Sequence, residues 1–194
     1  MDRTREPSGR DFPALLRAVH ARPDGRRAEI LGRGIVPVEP RPLRFRPVMK
    51  LLRERLLPHV PEGQDVEVAP FLFVFPESGR AFGPDLYVVD EEAFGAPGRH
   101  GNGSALSLVA ELTSGSTKET DWTDHWTDRA AAYGRVVPVY LVLNMQEGQL
   151  TIFRSPSEQG YRARRTVPFG SPVPVPAPFD FTLDTIGFEA GVAD

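Results

Sequence analysis

An apolar segment from Leu106 to Leu112 is the feature that most constrains the fold of this chain. It is interrupted only by Ser107 until Glu111, which closes it. The segment is too apolar for a strand with one face in water, so it predicts a central strand buried on both faces. A strand of that kind needs a neighbour on each side, so the rest of the chain has to supply a sheet.

The elements predicted around this segment give an α+β order. A first helix begins after Asp11 and ends before Pro23, and a second begins at Pro47 and ends before Pro58. A hairpin over 27–38 separates them. Strands are predicted at 66–68, 71–75, 86–89, 139–143, 150–153 and 161–167, with a third helix inside 117–133. We therefore expect a mixed β-sheet flanked by helices, with an N-terminal helix and hairpin.

Length and proline placement predict the domain organisation. The 194 residues suit one domain. We assign residues 1–10 to a disordered tail, 11–188 to the domain and 189–194 to a C-terminal tail. In 172–178 every second residue is proline, so we expect an extended surface strap that donates no sheet hydrogen bonds.

Composition excludes several classes of function. The chain has no cysteine, so a disulfide scaffold, a thiol nucleophile and a thiolate zinc site are excluded. No apolar run reaches the roughly 18 residues of a membrane helix, and the charged N-terminus is unlike a signal peptide, so we expect a cytoplasmic protein without membrane contact. The net charge of −3 gives no overall basic footprint for nucleic acid. Lys50 and Lys118 are the only lysines available to a mechanism.

Three acidic residues stand where the ends of predicted elements converge. Glu29 lies in the first hairpin, Asp85 opens a strand, and Glu111 closes the buried one. A carboxylate buried alone is costly, so each must be solvated, paired or bound to metal. Two carboxylates on adjacent strands suit a hard cation such as Mg²⁺ or Mn²⁺. The alternative is that Asp85 caps a turn and Glu111 pairs with an arginine.

Four sequence blocks resemble a known family. The stretch Leu108-Val109-Ala110-Glu111-Leu112-Thr113-Ser114-Gly115-Ser116-Thr117, followed by Asp121, resembles the signature of the Uma-two family, which is described as putative restriction endonucleases. The other blocks occur in matching order and resemble the family's N-terminal Glu hairpin, its Pro-Asp strand and its later apolar strand, at 27–34, 83–89 and 136–143 within a total extent of about 12–185.

The resemblance implies a nuclease fold of the PD-(D/E)xK type and hydrolysis of DNA phosphodiester bonds by metal-activated water. It implies that Asp85 and Glu111 hold Mg²⁺ or Mn²⁺ and that the carbonyl of Leu112 is a third ligand. Glu29 is then an accessory acid near the site.

The lysine of the family pattern has no direct counterpart. Thr113 stands two positions after the glutamate, where lysine is usual. The family's alternative lysine on the following helix falls at His125, or near Asp128 or Arg129 in another register. His125 could act as a base or stabilise charge, whereas Arg129 could only stabilise charge. Lys118 precedes the helix and is a third candidate.

Two functions stay open at this point. One is a metal-dependent DNA endonuclease; the other is an inactive nuclease-fold module for binding or interaction. A cation between Asp85 and Glu111 would favour the first, and an arginine bridging them would favour the second. The proline strap and the C-terminal phenylalanines are candidates for a homodimer contact and, equally, for packing within the chain.

Overall fold

A computed structural model describes residues 11–22, 28–32, 34–38, 40–68, 71–94, 98–113 and 128–192. Its strands and helices, in chain order, are α1 (Phe12–His20), β1 (Ala28–Leu31), β2 (Gly34–Pro37), α2 (Arg46–Leu56), β3 (Gln64–Glu67), β4 (Phe73–Phe75), β5 (Arg80–Phe82), β6 (Leu86–Asp90), α3 (Glu91–Phe94), β7 (Gly101–Asn102), β8 (Leu106–Thr113), α4 (residues 128–133), β9 (Val139–Asn144), β10 (Gln149–Ser157), β11 (Gly160–Pro168), β12 (Val173–Val175) and β13 (Phe181–Leu183). The α+β prediction is confirmed. Among the described helices none is long and apolar enough to cross a membrane.

The larger sheet is built around β8. Its strand order is β11-β10-β9-β8-β6-β3, and β8 runs antiparallel to β6 and parallel to β9. Seven of the eight residues of β8 are buried. The predicted central strand is therefore confirmed, and its burial on both faces explains why the segment is so apolar.

Alternation along β6 and β8 decides where their acidic residues point. Val88 and Ala110 belong to a core that contains the apolar face of α2. Tyr87 and Val109 belong to a second core on the opposite face. Glu111 lies two residues beyond Val109 on the same strand, so its side chain points to this second face.

A second sheet covers that face. Its order is β2-β1-β5-β4-β7, and phenylalanines from β4 and β5 pack between the two sheets. Tyr133 of α4 joins them, with its ring 5.2 Å from both Phe75 and Phe82. Helix α1 packs its apolar side on the other face of this sheet, against Ile30. The acidic residues thus lie between two sheets.

Most predicted elements are present with somewhat shifted ends. The first helix, the hairpin, the second helix and the later strands are confirmed. Asp11 occupies the N-cap position of α1, although its side chain makes no capping hydrogen bond. Strand β5 and helix α3 were not predicted. Of the predicted third helix, residues 128–133 are helical, and its start at Asp121 lies outside the described residues.

The prediction of a strap without ladder hydrogen bonds is wrong at β12. This strand pairs antiparallel with β13, with Val173 opposite Leu183 and Val175 opposite Phe181. Both valines are buried, whereas Pro174 between them is exposed. Because alternate residues of a strand present their N–H groups to the same side, the valines face the partner and the proline needs no donor.

The predicted C-terminal tail is also wrong for its described part. Residues Phe188–Gly191 form a 3₁₀ turn against α2, and Phe188 is fully buried. A Cβ atom at Gly191 would lie 2.7 Å from Cγ2 of Val48. Only glycine lets the chain approach the helix this closely, so the packed body extends beyond residue 188.

Candidate functional site

Asp85 is held at the entrance to β6 by two different donors. Its Oδ2 accepts the backbone N–H of Leu112 at 2.8 Å, and its Oδ1 accepts Nε of Arg41 at 2.7 Å. The residue is 5% exposed. Asp85 directly precedes β6, and its bond to Leu112 lies just beyond Leu86 and Ala110, the pair at that end of the β6–β8 ladder. The bond therefore holds the ends of β6 and β8 together at the site.

Glu111 is the most enclosed acid of the site, with 2% of its surface exposed. Its Oε1 accepts hydrogen bonds from Nη1 of Arg129 and, at 3.1 Å, from the hydroxyl of Tyr133. Its Oε2 lies 3.4 Å from Nη2 of Arg41. Arg41 therefore contacts both Asp85 and Glu111, which places the two acids at one site although they are far apart in the sequence.

Glu29 joins the same network from the first hairpin. Its Oε1 accepts the backbone N–H of Gly83 at 2.9 Å, and its Oε2 accepts Nη2 of Arg129. Arg129 thus bridges Glu29 and Glu111 through its two terminal nitrogens. The structure brings together the three acids that the sequence singled out, with Arg129 in the centre.

The charges of this cluster do not cancel among the described residues. Three buried carboxylates, of Glu29, Asp85 and Glu111, contact two guanidinium groups. Burial, opposed by Arg129 and Arg41 and reinforced by Asp85 and Glu29, raises the pKa of Glu111 to about 7. Although burial disfavours the charged form, Glu111 and Glu29 keep the pKa of Arg129 above its ordinary value. When all three carboxylates are ionised, the cluster has one more negative than positive charge, which either a proton on Glu111 or an additional cation would balance.

Helix α4 supplies two of the donors to Glu111. Arg129 and Tyr133 are four residues apart, so they lie on one face of the helix. The guanidinium carbon of Arg129 lies 5.2 Å from the ring centroid of Phe82, which packs against its planar face. Sequence reasoning missed Tyr133, although its helical spacing from Arg129 was a usable signal.

Arg41 was also missed, and no motif pointed to it. It lies in a non-helical segment between Pro40 and Pro42. Its side chain is 32% exposed, compared with 13% for Arg129. Arg41 therefore reaches the carboxylates from the surface, while Arg129 is enclosed beneath them.

The donor atoms fit a hard divalent cation. Asp85 and Glu111 offer carboxylate oxygens, and the carbonyl of Leu112 points to the same side of β8 as its N–H, toward Asp85. Arg41 contacts the oxygens that such a cation would use. Within the described residues no group of three or more His, Asp or Glu side chains has metal-binding geometry; Glu29 and Glu111 are bridged by Arg129.

The remaining candidate residues divide into two groups. Thr113, at the usual lysine position, is neutral, and its hydroxyl donates to the carbonyl of Leu143 at 3.2 Å. Asp128 is paired away from the site, accepting Nε of Arg80 at 2.8 Å and the N–H of Gly32 at 3.0 Å. His125 and Lys118 lie outside the described residues.

Comparison with known proteins agrees with this architecture. The sequence model of the Uma2 family, described as "Putative restriction endonuclease", matches residues 12–185. A solved structure described as a putative nuclease belonging to DUF820, from Anabaena variabilis, superposes with a TM-score of 0.63 at 12% identity, covering 91% of this chain and 97% of that one. No curated protein matches this chain significantly. The two structures share a fold, which confirms the restriction-endonuclease-like prediction.

Proposed function

Because the chain belongs to the Uma2 family of putative restriction endonucleases, we propose that it is a metal-dependent endonuclease that hydrolyses DNA phosphodiester bonds. The observation that supports this most is the cluster of three buried carboxylates in contact with only two guanidinium groups among the described residues. Burying three acids costs stability, and clusters of this kind are typical of functional sites. With Arg41 withdrawn, a divalent cation and Arg129 together would balance the three ionised carboxylates.

Asp85 and Glu111 are the residues that would hold the metal, with the carbonyl of Leu112. When bound, Mg²⁺ or Mn²⁺ polarises a phosphoryl oxygen and makes water a better nucleophile at neutral pH. In the hydrolysis, the water oxygen would form a bond to phosphorus and lose a proton to solvent, while one ester P–O bond would break and the departing oxygen would take up a proton.

Arg129 and Tyr133 act as positioning residues in this scheme. Their bonds to Oε1 hold Glu111 in one orientation, which leaves Oε2 as the oxygen directed toward Arg41 and Asp85. Arg129 also holds Glu29, so the accessory acid moves only if the central guanidinium moves. Such preorganisation reduces the reorganisation that charge development would otherwise require.

One observation favours a second candidate, the inactive binding module. Arg41 contacts Oδ1 of Asp85 at 2.7 Å and Oε2 of Glu111 at 3.4 Å, as an arginine does when it replaces a lost metal. In the endonuclease, Arg41 must withdraw before a metal binds. Its location outside the helices and strands and its partly exposed side chain are compatible with withdrawal.

A plasmid-nicking assay tests the proposal. The purified chain is incubated with supercoiled DNA and Mg²⁺ or Mn²⁺, with a chelator as the negative control. Glu111→Gln preserves side-chain size, and we expect it to reduce nicking at least about 100-fold. Glu62→Gln, which removes an exposed acid outside the site, is the matched control. Full activity of folded Glu111→Gln would reject the site, and no nicking by wild type or Arg41→Gln with either metal would favour the binding module.

A further inference from the structure

A basic groove follows helix α2 and shares Arg41 with the carboxylate cluster. It has a volume of about 320 Å³ and is lined by Arg41, Pro42, Leu43, Arg46, Met49, Lys50, Arg53 and Val68. Four of these side chains are cationic and none is acidic. The chain as a whole has a net charge of −3, so this groove is locally positive on a protein that is negative overall. A positive groove attracts an anionic partner.

The cationic residues of α2 form one line along the helix. Arg46, Lys50 and Arg53 are spaced i, i+4 and i+7, so they share a face. The line is about 10 Å long, because each residue advances the helix by 1.5 Å. On the opposite face of α2, Val48 and Leu52 are buried in the core. The basic face therefore points outward.

Few acids neutralise this face. Lys50 lies 3.6 Å from Glu54 in an exposed pair, which contributes little screening. Arg53 donates its Nε to the carbonyl of Val66 at 3.2 Å, which orients the side chain without cancelling its charge. Among the described residues no acidic side chain pairs with Arg46.

We infer that this groove, lined by Arg41, Arg46, Lys50 and Arg53, is the surface that binds the DNA phosphate backbone and leads one strand to the carboxylate cluster. The inference rests on the proposed function. DNA is favoured over an anionic lipid surface as the partner because Arg41 belongs to both places. Arg41 lines the groove and also contacts Asp85 and Glu111. A strand bound along α2 as far as Arg41 therefore reaches the side chain that contacts both acids. Leu43, 88% exposed at the edge of the groove, is placed to contact sugars or bases.

The test measures binding without cleavage. A fluorescently labelled 30-base-pair duplex is titrated with protein in chelator, at several salt concentrations between 50 and 200 mM. The groove variant is Arg46→Gln/Lys50→Gln/Arg53→Gln. We expect its affinity at 100 mM salt to fall at least about tenfold, and the slope of log K against log salt to become smaller by about 2.7, the value for three lost phosphate contacts.

The matched control removes the same charge elsewhere. Arg154→Gln/Arg164→Gln/Arg165→Gln lies on exposed positions of β10 and β11, at the opposite edge of the sheet from β3. We expect its affinity to stay within about twofold of wild type. Equal weakening in both triple variants would reject the groove as the DNA surface, because the effect would then follow net charge alone.

The outcomes separate this inference from the proposed activity. Loss of binding confined to the groove variant supports the groove even if the wild type nicks no plasmid. Nicking by wild type together with unchanged binding in the folded groove variant would overturn the groove while the nuclease stands. Vesicles containing anionic lipid form a further arm: groove-dependent binding to vesicles but not to the duplex would also overturn the inference.

Discussion

Arg129 and Glu29 are 100 residues apart in the chain, yet Nη2 of Arg129 donates to Oε2 of Glu29 inside the protein. The other terminal nitrogen of Arg129 binds Glu111. One guanidinium therefore connects the first hairpin, the central strand β8 and helix α4. The site therefore forms only when the hairpin, β8 and α4 are all present, because each supplies one of the three residues in this connection.

Removing the charge of Arg129 is expected to be strongly destabilising. Arg129→Met leaves Glu29 and Glu111 buried without their shared partner, and breaking a buried ion pair on one side costs about 3–5 kcal/mol. Urea denaturation measures the change in the free energy of unfolding. Arg135→Met is the control, since Arg135 lies 3.6 Å from the exposed Glu77 and a surface pair contributes about 0–1 kcal/mol. Similar losses in the two variants would contradict the central role of Arg129.

Sequence could predict the site residues that stand at a recognisable place in the hydrophobic pattern, such as the end of an apolar strand. Glu111 closes an apolar strand and Asp85 opens one, and the order of the four blocks predicts that both acids share a site. Arg129 is one of several candidates for the missing lysine, and only the structure places it among the acids. Arg41 could not be found this way, because it reaches the acids from an irregular segment and depends on tertiary packing alone. The ladder at β12 was missed for a related reason: proline content was considered without the alternation that keeps Pro174 away from its partner strand.

Arg41 and a divalent cation are expected to compete for the same oxygens. Arg41→Gln removes a guanidinium that lies 2.7 Å from Asp85. We expect the affinity for Mn²⁺ to increase at least about tenfold, because the guanidinium competes for the same oxygens and like charges about 4 Å apart near a protein surface repel by about 4 kcal/mol. Calorimetric titration measures the affinity, and the metal-induced rise in Tm reports the same binding. Arg44→Gln is the control, because Arg44 packs over Phe45. Equal or weaker Mn²⁺ binding by Arg41→Gln would argue against a metal site between these acids.

At pH 8, above the raised pKa of Glu111, Tyr133 is expected to stabilise the fold through the charge of its acceptor. Tyr133→Phe removes the hydroxyl that donates to Glu111 at 3.1 Å, and a hydrogen bond to a charged group contributes about 1.5–3 kcal/mol. In Tyr161→Phe the lost bond is to the backbone carbonyl of Val137 at 2.8 Å, with a neutral acceptor and an expected cost of about 0.5–1.5 kcal/mol. Denaturant unfolding of the two variants compares them directly. A smaller loss in Tyr133→Phe than in Tyr161→Phe would show that Glu111 is not ionised when it accepts this bond.

The raised pKa of Glu111 predicts a loss of stability as pH rises. Burial raises this pKa from about 4.5 to about 7 in the folded protein. Between these values the folded state holds a proton that the unfolded state has released, so the free energy of unfolding decreases with increasing pH. This contribution of Glu111 to the free energy of unfolding is fully present below pH 4.5 and is lost as pH rises through 7.

Comparing Glu111→Gln with wild type isolates this contribution, because the glutamine does not titrate while Asp85, Glu29, Arg41, Arg129 and Tyr133 remain around it. Urea denaturation at pH 5 and pH 8 gives the free energy of unfolding of each protein. We expect wild type to lose more stability over this interval than the variant, by on the order of 3 kcal/mol. Parallel pH profiles would mean that Glu111 is ionised throughout the interval, and that Arg129 and Arg41 fully compensate for its burial.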